Sequence, residues 1–550
     1  MLNKKEKYKI LLVIPRYSLT EEKNYDYMFP IGLAYISSIL KKEGYRVDCL
    51  NLNHEKGVIR SIIQKLLDKK KYDFIGIGNT AMGYLETEII IKAIRKHESK
   101  PKIILGGLII TPKPKLVFED LNPDFGIIGE GEETILELLE CIQKKKDLNK
   151  VDGIIYKNAC GTTLITNKRA PPENLDLIPF PDFESFGFEE KLKHTHSNEL
   201  FINAFDFPRA YPILCSRSCP FQCTFCYHEG KYRYRSMDNI MEELEERVKK
   251  YKINSLIIYD DCFSINKERL NEFCKKIKKL REEISWDLVW APQITVKDVT
   301  PELLKVMKDA GCETISYGFE SMNQIVLKSM KKPILPKQID NAIRETIKAK
   351  IAIQANFIFG DISETKETAK TTLNYWKKHA QGQVFLGFIQ PYPGSEIYEH
   401  CVKKGIIKNE INFIKNLRAY GDLIINMTRE MNDKEIYSLR KEILKSMSKY
   451  SKFSVPLKIK KINPNVNDLY VRCPFCKKII RYGNCFLKDK INYSFIMRCR
   501  NCKMCFYIVS EFKKWVFKNY YKFYHQIRKL KEIKSILISK FKRKKFKIYN

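Results

Sequence analysis

The chain has 550 residues, with 99 Lys and Arg against 65 Asp and Glu, and a formal net charge of +34. With 44% apolar and 30% charged residues it has the balance of a globular protein, and its length suits roughly three or four domains of about 150 residues. No run approaches the ~18 apolar residues of a membrane span. The apolar run at 10–15 continues as a domain start, so we expect a cytoplasmic chain without a leader. In a reducing compartment, its 17 cysteines point to metal binding before disulfides. The basic excess fits an anionic partner (nucleic acid, a phosphorylated substrate or a membrane surface) and equally a lysine-biased composition.

Strands are predicted at 9–15, 46–52, 73–78, 102–106 and 125–129, with helices at 32–43, 58–67, 86–97 and 134–145. Short apolar strands between amphipathic helices argue for an α/β domain over 1–150 with a doubly wound parallel sheet. Such sheets bind ligands beyond their strand ends. Those ends carry Asn79-Thr80, Gly106-Gly107 and Gly129-Glu130-Gly131-Glu132. Glycines there serve close approach of a ligand or, equally, tight turns.

Residues 151–205 read as a connector, with a hairpin around Cys160-Gly161 and then Pro171, Pro172, Pro179 and Pro181. Over 206–400, strands near 211–214, 255–259, 287–290, 314–318, 352–359 and 384–390 alternate with helices. That spacing suits a partial (β/α)6 barrel or another open sheet. Residues 401–465 read as helical and 466–510 as a cysteine-dense module. The basic tail, 511–550, sets fourteen Lys and Arg against Glu511 and Glu532, with interleaved aromatics from Trp515 to Phe546. Such a tail could grip RNA, lie on an anionic membrane, or pack its aromatics on the protein.

Two cysteine constellations stand out. Cys219, Cys223 and Cys226 have C-x3-C-x2-C spacing in a loop after a predicted strand. Three thiolates on one loop can hold three irons of a [4Fe-4S] cubane and leave the fourth open to a chelating ligand. Cys215 and His228 keep a zinc site open as the alternative. Cys473, Cys476, Cys499 and Cys502 form two C-x2-C knuckles that match a zinc ribbon, with an auxiliary cluster through Cys505 as the weaker choice.

The stretch Cys215-Ser-Arg-Ser-Cys-Pro-Phe-Gln-Cys-Thr-Phe-Cys-Tyr-His228 resembles the cluster loop of the radical SAM superfamily, in its cobalamin-binding branch. Arg233-Tyr-Arg235-Ser236, Tyr259-Asp260-Asp261, Gly318-Phe-Glu320-Ser321, Gly360-Asp361 with Glu364-Thr365, and Pro391-Tyr-Pro393-Gly394-Ser395 follow in the family's order. In the N-terminal domain the resemblance rests on 30–35, Gly106-Gly107 and 129–132, and it covers roughly 8–410. Met322, Ile362-Ser363 and Ala291-Pro292-Gln293 depart from the family pattern. The D-x-H-x-x-G cobalt motif is absent. Its nearest match, 52–57, has Leu52 where Asp should stand, and His54 reads as a surface histidine.

The resemblance implies S-adenosylmethionine (SAM) on the open iron, with contacts from Phe225, Asp260, Asp261, Glu320 and Ser321. It implies a Rossmann-like cobalamin domain using Thr80, Gly106, Gly107, Gly129, Glu130 and Gly131. It also implies a one-electron reductant of the flavodoxin or ferredoxin type, reductive SAM cleavage, and methylation of an unactivated carbon, with cyclisation or rearrangement in some relatives. No general base is assigned. An RNA-modifying radical SAM enzyme is the first alternative. The RNA methylthiotransferases, however, carry three cluster cysteines in their N-terminal domain, where this chain has only Cys49 and Cys141, with Cys160 beyond. A non-enzymatic zinc-dependent nucleic-acid binder is the second.

Overall fold

The computed structural model describes residues 7–519, apart from 18–19, 199–202, 228, 381–382 and 418–424. His228 and most of the basic tail lie outside the described residues.

The first sheet is built from β1 (Lys9–Ile14), β2 (Arg46–Asn51), β3 (Phe74–Gly78), β4 (Lys102–Gly106) and β5 (Phe125–Ile127), with β6 (Ile154–Lys157) and β7 (Thr163–Ile165) at its edge. The order is β2-β1-β3-β4-β5-β6-β7. The first five strands are parallel, and β6 and β7 add antiparallel. The hairpin around Cys160 is therefore the edge of this sheet.

Alternation along β1 explains the two layers. Ile10, Leu12 and Ile14 share one core with α1 (Ile31–Lys42), while Leu11 and Val13 share the other with α2 (Ile59–Lys69) and α3 (Tyr84–Arg95). A strand with both faces apolar must be covered on both sides. The sequence reading missed α4 (Pro114–Leu121). Pro114 sits at its first turn, where a missing N–H costs nothing, and Asn122 ends it in the left-handed conformation. Helix α5 (Glu132–Gln143) packs beside α1.

Six further parallel strands follow in chain order. Ala210–Ile213, Ser255–Ile258 and Val289–Ala291 form one sheet, and Thr314–Glu320, Ala352–Phe359 and Val384–Phe388 another. Parallel bridges from Trp290 to Cys312 and from Gln293 to Ser316 join the two. The core of this region is continuous with the α1 face of the first domain. Phe29, Phe183 and Tyr211 carry that continuity ring to ring, at 4.7 and 5.1 Å between centroids. The connector thus contributes Phe183 to a buried aromatic seam between the two regions. A separate C-terminal core gathers Leu469, Val471, Tyr482, Met497 and Phe506 between antiparallel strands.

Candidate functional site

The order β2-β1-β3 reverses chain direction between β1 and β3, and a crevice opens at that switch point. It is a cavity of about 470 Å³ whose rim includes Thr80, Gly106, Gly107, Gly129, Glu130 and Gly131. Its far wall is Leu214, Arg217 and Tyr259 from the second region. The glycines do different work. A side chain on Gly107 would strike the Asn79 backbone at 2.8 Å, so that glycine serves the turn. A Cβ on Gly32 would meet nothing within 4 Å, and one on Gly106 nothing nearer than 4.0 Å. Their bare backbone faces the cavity, which is what a large flat ligand needs. The Thr80 side chain makes no capping hydrogen bond.

Glu130 closes this wall. Its carboxylate accepts from Arg217 Nη1 at 2.7 Å and from Arg233 Nη2 at 2.5 Å. Arg217 Nη2 also reaches Glu132, at 2.6 Å. Burial works to raise the Glu130 carboxyl, but Arg233 and Arg217 hold it below the usual range. The sequence reading placed Glu130 at the cofactor. In the structure it lines the cavity and ties the two regions together through Arg217 and Arg233.

Arg217 stands at the base of the cysteine loop. Ser216–Arg217 pairs antiparallel with Arg233–Tyr234, so the described residues between 218 and 232 project as one hairpin. Asp260 fixes the entry: its carboxylate accepts from Cys215 N at 2.7 Å and Ser216 Oγ at 2.5 Å. Burial pushes the Asp260 carboxyl up to about 6, and those hydrogen bonds work against the rise. Asp260 is thus a positioning group, whereas Asp261 is exposed beside the loop. The hairpin is anchored on its far side by Thr224 N to Met330 O (3.1 Å) and Ile397 N to Thr224 O (2.9 Å). Cys223 is buried, Cys219 half-buried and Cys226 exposed. Burial pushes the Cys223 thiol up, so a cation is needed to hold the loop as thiolates. Phe225 is half-buried against the second core.

Opposite the loop, the Thr314–Glu320 strand shifts register between Gly318 and Glu320, and Glu320 has φ +60°. That bulge aims the Glu320 carboxylate at Lys332 Nζ, 3.0 Å away. A side chain on Gly318 would collide with the same ammonium, which accounts for the glycine. Burial works against charge on Lys332, but the Glu320 carboxylate beside it holds it above its ordinary range. Lys332 was missed from sequence because only the bulge brings it to the site. Ser321 is committed elsewhere: its hydroxyl meets Thr372 Oγ1 at 3.1 Å and accepts from Asn323 N at 3.1 Å.

The G-D-I-S-E-T loop buries two acids. Glu364 accepts from Gly360 N at 2.5 Å, and burial pushes its carboxyl up to about 8. His54 corrects the expectation of a surface histidine. It is 7% exposed, its Nε2 lies 2.9 Å from Tyr27 Oη, and burial pushes its pKa down to about 4. It does not line the cavity.

The Sγ atoms of Cys473, Cys476, Cys499 and Cys502 all lie within 4.8 Å of one another, the one such metal-ligating group among the described residues. The loop cysteines are not so gathered. Thiolates on different corners of a cubane stand further apart than four that share one ion.

Two family descriptions match the two halves of the site. The B12 binding domain matches residues 22–139, and the radical SAM superfamily matches 213–375. The chain is a radical SAM protein with a B12-binding domain. That pairing implies a [4Fe-4S] cluster, SAM and cobalamin as cofactors, and a reductant to supply the electron. This radical SAM protein is 27% identical over 385 residues to an uncharacterised methyltransferase of Pyrococcus horikoshii, covering 69% of this chain and 79% of the relative. It is 24% identical over 486 residues to the cytidylyl-2-hydroxyethylphosphonate methyltransferase of Streptomyces wedmorensis, covering 78% and 88%. Its fold is shared with the radical SAM methyltransferase TsrM of Kitasatospora setae, solved with cobalamin and a [4Fe-4S] cluster bound. The TM-score there is 0.58, at 16% identity over 72% of this chain and 75% of that one.

Proposed function

We propose that this radical SAM protein is a cobalamin-dependent methyltransferase acting on an unactivated carbon. The observation that carries the reading is a shared wall: Arg217, two residues before Cys219, lines the cavity at the B12-binding switch point. Bound together, the cluster with SAM supplies a carbon-centred radical and cobalamin a methyl group. The chain's residues position those groups. Cys219, Cys223 and Cys226 hold the cluster, and Asp260 fixes the entry to their loop. Asp261, Glu320 and Lys332 offer charges to the amino and carboxylate groups of SAM, and Phe225 gives an apolar edge for adenine. Ser321 supports the Glu320 turn. Thr80, Gly106, Gly129 and Gly131 shape the cobalamin cradle, and Glu130 locks it to the loop.

The six ordered strands support a partial (β/α)6 barrel with its mouth at this wall. Cys473, Cys476, Cys499 and Cys502 we assign to a single zinc in a ribbon-like module. None of the 17 cysteines is paired in a disulfide, and no described helix is long and apolar enough to cross a membrane, which supports placement in the cytoplasm. Anaerobic reconstitution with iron, sulfide and hydroxocobalamin, then SAM and dithionite, tests the reading. We expect 5′-deoxyadenosine and one bound cobalamin, with the first lost in Cys223→Ala. Deoxyadenosine without bound cobalamin would overturn methyl transfer, and neither product nor iron would overturn the radical enzyme.

A further inference from the structure

The two C-terminal knuckles are geometric copies. Cys473 N donates to Lys478 O at 2.9 Å and Lys477 N to Cys473 O at 3.0 Å. Cys499 N donates to Met504 O at 2.9 Å and Lys503 N to Cys499 O at 2.8 Å. Lys477 and Lys503, each next after a second cysteine, share φ near +63°, at 64° and 62°. Cys473 and Cys502 sulfurs lie 3.8 Å apart, and Cys476 and Cys499 sulfurs 3.7 Å. Four thiolates about 2.3 Å from one zinc in a tetrahedron stand about 3.8 Å from each other. The sulfur cage therefore has the size of a single zinc ion, and with four ligands it leaves no open position.

Four residues in and beside the second knuckle reach outside the module. Arg498 Nη1 donates to Ile353 O at 2.6 Å, and Arg498 is buried. Arg500 Nη2 meets Asp206 at 2.7 Å, which also receives Arg481 at 2.7 Å and Gly483 N at 2.7 Å. Lys503 pairs with Glu313, and Met504 Sδ accepts from Gln383. The core groups share a place. Glu313 precedes the Thr314–Glu320 strand, Ile353 is second in Ala352–Phe359, and Gln383 precedes Val384–Phe388. Three neighbouring parallel strands are gripped where they begin. Glu320 and the cysteine hairpin lie where strands end, about 20 Å away at roughly 3.3 Å per residue.

We infer that the Cys473–Cys476–Cys499–Cys502 zinc is a structural brace that fixes the lower ends of the three core strands, and that the module is not a substrate reader at the mouth. The inference rests on the single-zinc assignment above. Zinc holds the second knuckle rigid, and the knuckle presents Arg498, Lys503 and Met504 to Ile353, Glu313 and Gln383 at the three strand starts. A metal-bound knuckle meets those anchors preordered. A metal-free one must be ordered by them alone.

The test uses the full chain with Cys219, Cys223 and Cys226 replaced by alanine, so that metal content reports this module alone. Metal analysis should give one zinc and no inorganic sulfide per chain. Iron with sulfide, or no metal, overturns the zinc assignment. Hydrogen exchange is then followed at 314–316, 352–354 and 384–386 before and after zinc is stripped with a chelator under reducing conditions. The brace predicts exchange at least tenfold faster at these starts, and restoration when zinc is returned. Unchanged exchange with zinc fully removed overturns the brace and leaves the site intact. Arg498→Met supplies the second arm. It should keep its zinc and still quicken exchange at 352–354, whereas slow exchange there overturns the anchoring role.

Discussion

The two cysteine sites use the same side chain for opposite ends. The hairpin 218–232 carries three thiols of unequal exposure on one loop, facing an ion pair between Glu320 and Lys332. The C-terminal knuckles carry four thiols in one cage, facing only hydrogen bonds and salt bridges to the core. On the assignment proposed above, the first arrangement is short of one ligand and faces a charged pair. The second is complete and surrounded by anchors. Metal sites with an open position do chemistry, and closed ones hold structure.

The largest effect that tests this contrast is loss of an open-site ligand. Cys223→Ala should lower 5′-deoxyadenosine formation at least about a thousandfold, since the cofactor carries the hard chemistry. It should leave the C-terminal zinc in place. A variant that still cleaves SAM at a tenth of the normal rate would break the assignment.

Glu130→Gln comes next. It leaves Arg233 without its carboxylate and Arg217 with Glu132 alone at a buried wall, and breaking such a pair costs about 3 kcal/mol. We expect bound cobalamin to fall by roughly a hundredfold in affinity, read by its visible spectrum. Iron content should stay the same. Loss of iron together with cobalamin would mean that Glu130 holds the hairpin itself, not its seat against the cavity.

Lys332→Met is smaller. One charge-assisted hydrogen bond to the SAM carboxylate contributes about 1.5 kcal/mol, so KM for SAM should rise roughly tenfold with little change in kcat. An unchanged KM would make Lys332 a partner of Glu320 and nothing more.

Most of the scaffold was legible because it rests on period. The alternation of β1 and the apolar spacing of α1 and α5 follow from which faces must be buried. Helix α4 was hidden because its Thr111-Pro112-Lys113-Pro114 start reads as a loop. The four knuckle cysteines were legible as one group because each pair is local in sequence, and the structure brings their sulfurs together. The site was illegible where partners meet across the fold. Glu130 meets Arg217 over 87 residues, and Lys332 reaches Glu320 only through a bulge. Asp260 and Ser321 sat in the right motifs, yet their oxygens are taken by Cys215, Ser216 and Thr372, which no spacing announces.

The smallest prediction concerns a histidine that could be mistaken for a ligand. His54 is neutral in the fold, with a pKa near 4 caused first by burial, against about 6.5 when unfolded. Between those values the unfolded chain binds a proton that the folded chain does not. Stability from this group is therefore complete above pH 6.5 and is lost as pH falls towards 4. At pH 5.5 the loss amounts to about 1.4 kcal/mol. Glu364 runs the other way: its carboxyl is raised to about 8, so it favours the fold below about pH 4.5 and loses that advantage as pH rises towards 8. The two slopes oppose each other between pH 4.5 and 6.5, so the wild-type profile alone tells little. The difference between wild type and His54→Gln isolates the histidine. The wild-type unfolding midpoint should fall relative to that of the variant on moving from pH 7 to 5.5, while bound cobalamin is the same in both. A cobalamin spectrum that changes with His54→Gln would instead put this side chain at the cofactor, and the packing role drawn from its contact with Tyr27 would fail.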